Sequence, residues 1–270
     1  MKKRNTYQTF LSFLRARTFA IFISSFFFFG ASARAETFLP ESIFLTSIEP
    51  GNRVSFGIKN LELNEPKIFA RDQTALASAE YAFSTYFSLY AGLPYSRRWY
   101  TDLETTRHID NAPVGLKLAY PGSNFMPAAG LNLYLPTGND RLRIGSKEFG
   151  NVEPYAALAW KSGSFSLQGM VKYNSQSNRG FYEKPGQKFI HTWYAEASAG
   201  FRFSFIQIIG EISRKMVVDP EEKHLNTTLF SPGIGFTLGD SGYIGIGIPY
   251  SLSKEREYDA GFIIKGIYYY

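Results

Sequence analysis

The chain has 270 residues, of which 44% are hydrophobic and 17% aromatic, with no Cys, so disulfides and a lipid-modified cysteine anchor are both excluded. Its formal charge of +6 belongs to the first 35 residues, which hold six Lys or Arg (residues 2, 3, 4, 15, 17 and 34) and no Asp or Glu. The remainder therefore has 29 − 6 = 23 basic against 23 acidic residues, and its charge gives no support for nucleic-acid binding.

Residues 1–35 have the layout of a cleaved signal peptide. Lys2, Lys3, Arg4, Arg15 and Arg17 precede an apolar core at residues 19–29, and Ala33-Arg34-Ala35 offers a small-x-small cleavage site before Glu36. The apolar run is shorter than the roughly 20 residues a spanning helix needs. Residues 36–270 are then expected to form one all-β domain.

After a lead over residues 36–52, strands are expected near residues 54–58, 77–83, 87–93 and 114–120. The clearest pattern lies between residues 124 and 174. There Phe125, Pro127, Ala129, Leu131, Leu133 and Leu135 oppose Asn132 and Tyr134. Val152, Pro154, Ala156, Leu158 and Trp160 oppose Glu153, Tyr155 and Lys161, and Phe165, Leu167, Gly169, Val171 and Tyr173 oppose Ser166, Gln168, Lys172 and Asn174. Side chains in a strand alternate between faces, so each segment has an apolar face and a polar or small one. Five more strands are expected near residues 193–201, 206–212, 228–238, 244–252 and 258–270, about twelve in all. Repeated spans of about 9 to 11 residues with aromatics near their ends match a single antiparallel transmembrane β-barrel. A mean hydropathy of −0.17 suits that class, because only alternate residues need to face lipid.

Pro121-Gly122-Ser123-Asn124, Lys161-Ser162-Gly163-Ser164 and Gly239-Asp240-Ser241-Gly242 carry tight-turn chemistry. They alternate with longer polar stretches, which places short turns at one rim and long loops at the other. The junctions at Ser84-Thr85-Tyr86 and Phe203-Ser204-Phe205 have little turn chemistry. Tyr81, Phe83, Tyr120, Trp160, Tyr173, Trp193, Phe201 and Tyr250 are candidates for interfacial girdles. The final strand places an aromatic at the C-terminus, resembling the signal by which the barrel assembly machinery recognises outer-membrane barrels. This strand must also pair with the first, because an open edge in lipid leaves backbone groups unpaired.

No Asp, Glu, Lys or Arg falls on the apolar face. The opposite face carries the candidate lumen-lining residues Glu80, Lys117, Glu153, Lys172, Glu196, Arg202, Glu211 and Lys265, together with Tyr134, Tyr155 and Tyr194. Pairs such as Glu153 with Lys172 or Glu196 with Arg202 either neutralise one another or confer selectivity.

The runs Ala91-Gly92-Leu93-Pro94-Tyr95 and Leu131-Asn132-Leu133-Tyr134-Leu135-Pro136-Thr137-Gly138, then Gly145-Ser146 and Pro154-Tyr155-Ala156-Ala157-Leu158-Ala159, resemble the outer-membrane family named for the meta-pathway of phenol degradation. The resemblance implies an outer-membrane barrel that transports hydrophobic or aromatic compounds, and transfers no binding residue.

The leading functional expectation is a passive channel or transporter of small molecules in the outer membrane. The alternatives are a plugged structural or surface-interaction barrel and a lipid-modifying enzyme. For the enzyme, His108, His191 and His224 are the only histidines, and none has an evident Ser partner in sequence; no catalytic, cofactor or metal site is assigned. The expected partners are outer-membrane lipids and lipopolysaccharide, the barrel assembly machinery and a small solute, with no nucleic acid. The run Arg97-Arg98-Trp99-Tyr100 reads either as a contact to lipopolysaccharide phosphates or as a solvated loop base.

Overall fold

The computed structural model describes residues 42–43, 47–63, 71–99, 105–142, 144–145, 150–176, 190–218, 226–254 and 258–270. The expected signal peptide, residues 1–35, lies outside them, as do residues 36–41 and parts of several long connections. Fourteen strand segments follow one another: β1 (Arg53–Leu63), β2 (Arg71–Ser84), β3 (Phe87–Trp99), β4 (Thr106–Ile109), β5 (Ala112–Ala119), β6 (Phe125–Leu135), β7 (Asn151–Ser162), β8 (Phe165–Gln176), β9 (Ile190–Phe203), β10 (Ile206–Val217), β11 (Thr227–Leu238), β12 (Gly242–Gly247), β13 (Tyr250–Ser251) and β14 (Tyr258–Tyr269).

Every neighbouring pair is antiparallel, and β1 pairs with both β2 and β14, so the sheet closes on itself. Two crossings are interrupted. Segments β4 and β5 together form the strand beside β3, and β12 and β13 together form the strand between β11 and β14. The cylinder therefore has twelve strands, as the alternation in the sequence indicates.

The interruptions fall at prolines, which cannot donate to a ladder. Pro94 and Pro113 lie on the two sides of the break between β3 and β4–β5, with Pro113 beside Gly92 and the Pro94 carbonyl taking the Asp110 N–H, and the register slips by one residue between Ala91↔Val114 and Tyr95↔Ile109. Pro249 separates β12 from β13. At Pro154 the β7–β8 pairing passes from Val152↔Ser175 to Tyr155↔Lys172.

One rim holds the tight connections. Thr85-Tyr86, Gly163, Ser204 and residues 239–241 turn within a few residues, and Ser204, Gly163 and Gly239 adopt left-handed φ of 54°, 57° and 56°. Ser204 explains why its turn has no sequence signature, since a non-glycine residue takes the position glycine normally fills.

Burial is inverted relative to a water-soluble protein. Arg53, Glu80, Lys117, Asn132, Glu153, Lys172 and Glu211 are buried, whereas Phe56, Leu158 and Ile208 are 53%, 52% and 61% exposed. The polar face points into the cylinder and the apolar face outward. Aromatics gather in two bands on the outside: Tyr81, Phe83 and Phe87 with Tyr86, Tyr120, Trp160 and Phe165 near the short-turn rim, and Tyr173, Trp193, Phe230 and Tyr250 towards the other.

A Cβ at Gly163 meets nothing within 4 Å, so Gly163→Ala isolates the cost of the left-handed backbone. It is expected to destabilise the barrel by about 1 kcal/mol, read as a lowered urea midpoint of the detergent-folded protein.

Candidate functional site

The interior is the candidate site, and a hydrogen-bonded strip of polar groups runs around half of it. Glu80 on β2 receives Arg53 at 2.8 Å, Lys117 at 2.7 Å and the Ser88 hydroxyl at 2.6 Å. Arg53 stands directly opposite Glu80 in register, while Lys117 reaches across β3 from β5. Lys117 also lies 5.4 Å from the centre of the Tyr90 ring. The Tyr90 hydroxyl donates to Asn132 Oδ1. Asn132 Nδ2 donates to Glu153 Oε1 at 2.9 Å, and Asn174 Nδ2 to Glu153 Oε2 at 3.1 Å. The Tyr134 hydroxyl donates to the same Glu153 carboxylate at 3.3 Å. Such a network is favourable inside a protein only when its members are mutually satisfied.

Tyr90 and Tyr155 lie against the wall because glycine stands beneath them. A Cβ at Gly115 would enter the Tyr90 ring, and one at Gly130 would enter the Tyr155 ring.

The pairing of charges differs from the sequence expectation. Lys172 bridges to Glu196 at 2.9 Å, not to Glu153, whose carboxylate is held by two asparagines and Tyr134. Glu196 is not paired with Arg202, whose Nε has no hydrogen-bond partner. The reason is register. Lys172 faces Tyr155 on one side and Tyr194 on the other, so it reaches the carboxylate lying diagonally on β9. Tyr194 is half-buried on the same inward face, beside Glu196.

The lead segment is the main feature the sequence reading passes over. The described residues before β1, 42–43 and 47–52, pack against the inner face of the cylinder. Ile43 donates its backbone N–H to Glu211 Oε1 at 3.0 Å, and Lys265 Nζ donates to the Ser42 carbonyl at 2.7 Å. The Ile43 side chain occupies the space above Gly233, Gly245 and Gly247 and packs with Ile209, Tyr243, Ile263 and Ile267. Ile48 is fully buried among Ala119, Met126, Tyr155, Ala159 and Met170. Arg53 Nη2 donates to the Glu49 carbonyl at 2.8 Å, and Gly51 N–H to Glu80 Oε1 at 3.3 Å. Thus Glu211, Lys265, Glu80 and Tyr155 hold a segment of their own chain. The available signal was a group of glycines at inward positions of β11 and β12, which leaves room that something else must fill.

Four of the residues carrying the family resemblance, Pro94, Thr137, Gly138 and Gly145, meet at one corner. Thr137 Oγ1 donates to the Asp110 carbonyl at 2.6 Å and accepts the Ala112 N–H at 2.9 Å. Gly138 N–H donates to Asn111 Oδ1 at 3.2 Å, and the Pro94 carbonyl accepts the Asp110 N–H at 3.0 Å. Gly145, at φ 62°, packs against Asp110 and Asn111. These motifs brace the break between β4 and β5.

Of the two described histidines, His108 and His191, neither is placed beside both a Ser and a carboxylate in the contacts it makes here. His108 Nδ1 is 2.7 Å from the Ile109 carbonyl. His191 Nδ1 lies 2.7 Å from the Tyr173 hydroxyl, with the two rings stacked. His224 lies outside the described residues. Among the described residues no group of three or more His, Asp or Glu is placed to hold a metal ion.

A closed twelve-strand antiparallel cylinder with an apolar exterior and a charged interior is an outer-membrane β-barrel by architecture. Solved structures of similar fold include an outer-membrane channel from Pseudomonas putida F1, with a TM-score of 0.66 at 12% identity, covering 85% of this chain and 100% of that one. The NanC porin gives a TM-score of 0.56 at 8% identity over 82% of this chain and 100% of its own. The β domain of a Bordetella autotransporter gives 0.52 at 11% identity, covering 82% and 99%. At these identities the likeness establishes the fold. No family model matches the sequence, and no curated protein does.

Glu80→Ala strands the buried Arg53 and Lys117 charges without their counter-ion, and is expected to cost about 3–5 kcal/mol. The measurement is urea unfolding in detergent, read by heat-modifiable gel migration.

Proposed function

We propose that the chain is an outer-membrane channel through which small molecules diffuse passively, with its short-turn rim in the periplasm and its long loops outside. The observation that carries this reading is an open strip of interior wall. Lys59 on β1 and Leu76 on β2 share the inward face with the buried Arg53 and Glu80, yet Lys59 is exposed and Leu76 is 36% exposed. The described residues of the lead segment cover the β10–β12 side through Ile43 and the wall around Glu80 and Tyr155 through residues 48–51, and leave Lys59 and Leu76, nearer the long-loop end of β1 and β2, uncovered. The outer-membrane fold and the arrangement of turns support the orientation. The resemblance to the phenol meta-pathway family favours hydrophobic or aromatic solutes, for which inward Tyr134 and Tyr194 offer apolar rings with polar tips. In this reading the eleven inward residues named from the sequence act in two ways: Glu80, Glu211, Lys265 and Tyr155 anchor the lead segment, and the others line or stiffen the wall. No catalytic role is proposed.

A plugged barrel is the second reading, and the lead segment is the observation that favours it. Single-channel recording in planar bilayers separates the two. The channel reading expects steady currents from the intact protein and larger ones after removal of residues 36–50; a correctly folded barrel that stays silent in both forms would refute it. Lys59→Glu is expected to move the reversal potential in a salt gradient towards cation preference, because an exposed lumenal charge acts directly on passing ions.

Orientation is tested independently, since the chain has no cysteine of its own. Lys254→Cys, in an exposed position beside β13, is expected to react with a membrane-impermeant maleimide on intact cells, and Asp240→Cys, at the opposite rim, only after lysis.

A further inference from the structure

We propose that the outward face of β3 and β4, at the long-loop rim, binds the phosphate groups of lipid A in the outer leaflet, and that Arg97 and Arg107 are the residues that hold them. The proposal rests on the outer-membrane placement argued above.

Arg97 and Arg107 stand directly opposite each other in the β3–β4 ladder, and the next outward pair towards the barrel's middle is Tyr95 with Ile109. Tyr95 and Ile109 are 45% and 39% exposed, and both arginines are exposed. The same face continues inward along β3 through Leu89, 38% exposed. An apolar surface thus ends at an aromatic residue, and two guanidinium groups begin about 7 Å further along the strand. That is the level at which the acyl region of a bilayer gives way to charged headgroups.

Two like charges directly opposite across a ladder repel each other. Among the described residues, neither arginine forms a salt bridge. The arrangement is also not a general basic run. Arg98 alternates to the inner face and pairs with Asp72 at 3.4 Å, and Arg71, on the neighbouring strand, is bridged to Glu62 at 3.2 Å. The Arg97 guanidinium lies 4.4 Å from the centre of the Trp99 ring, which restrains it at the rim. Cross-strand Cβ atoms are about 5 Å apart, so both planar donor forks are within reach of one phosphate, whose oxygens accept bidentate hydrogen bonds from arginine. A lipid supplies both parts of the match, with phosphate at the arginines and acyl chains along Tyr95, Ile109 and Leu89.

The test uses the full barrel in non-ionic detergent, with native mass spectrometry to count bound lipid. The probes are diphosphoryl lipid A, the same lipid without its phosphates, and inorganic phosphate as competitor. The intact barrel is expected to prefer the diphosphoryl form by about tenfold or more, and the double variant Arg97→Ala/Arg107→Ala to lose that preference. Arg97→Lys/Arg107→Lys is expected to keep part of it, since the charge stays and the fork geometry goes. An unchanged preference in the double alanine variant, with heat-modifiable migration intact, would overturn the assignment, as would equal binding of the dephosphorylated lipid. Displacement by millimolar inorganic phosphate would show a plain anion site and equally overturn it. Labelling of Lys254→Cys on intact cells reports the placement separately. A rim that does not face outward abolishes labelling and leaves the phosphate preference in micelles; a mistaken arginine pair does the reverse.

Discussion

Closure of the backbone hydrogen-bond ladder governs the whole molecule. In hydrocarbon an unpaired N–H or carbonyl has no water to turn to, so a sheet survives only if its first and last strands meet. Here β1 is paired along nearly its full length with β14 on one side and β2 on the other. Once the sheet is a cylinder, each strand has one face towards lipid and one towards the interior, and the period-two pattern of the sequence sorts the side chains between them. The buried arginine, lysines and glutamates follow from this sorting. They cannot face the acyl chains, and on the inner face they find each other.

The interior is then solved in two ways around its circumference. From β1 to β9 the wall is covered by charged and amide side chains that satisfy one another, with Tyr90 and Tyr155 laid flat over glycines. On β11 and β12 the inward face includes Gly233, Gly245 and Gly247, and the cover over them comes from the chain itself through Ile43. Glycine thus plays opposite parts: beneath the tyrosines it admits a neighbouring side chain of the wall, and opposite them it admits a separate segment. The strand breaks fall beside residues without an N–H, near Pro94 and Pro113 and at Pro249, and at the first of them Thr137, Asp110 and Asn111 brace the corner.

Much of this architecture is readable from sequence because a barrel repeats one simple rule. Alternation over residues 125–135, 151–162 and 165–176 identifies strands and faces together, and the count of twelve follows from the turns between them. The turn at Ser204 escapes because its left-handed residue is not glycine. The partner of Lys172 escapes because a salt bridge in a sheet depends on which neighbour lies diagonally within reach, and that depends on register across two strands rather than on spacing within one. The position of residues 42–50 escapes for a different reason. A segment without periodicity gives no hint of where it packs, and its contacts are written into distant glycines rather than into itself.

Those contacts have a consequence for how the molecule matures. Ile43 meets Glu211 across 168 positions of sequence, and Ser42 meets Lys265 across 223. Both partners belong to the last third of the chain, so Ser42 and Ile43 cannot settle until nearly all strands have been laid down. Contacts of such long range are the last to repay their loop-closure entropy. The β11–β14 side of the barrel therefore stays hollow until Ser42 and Ile43 take their seat.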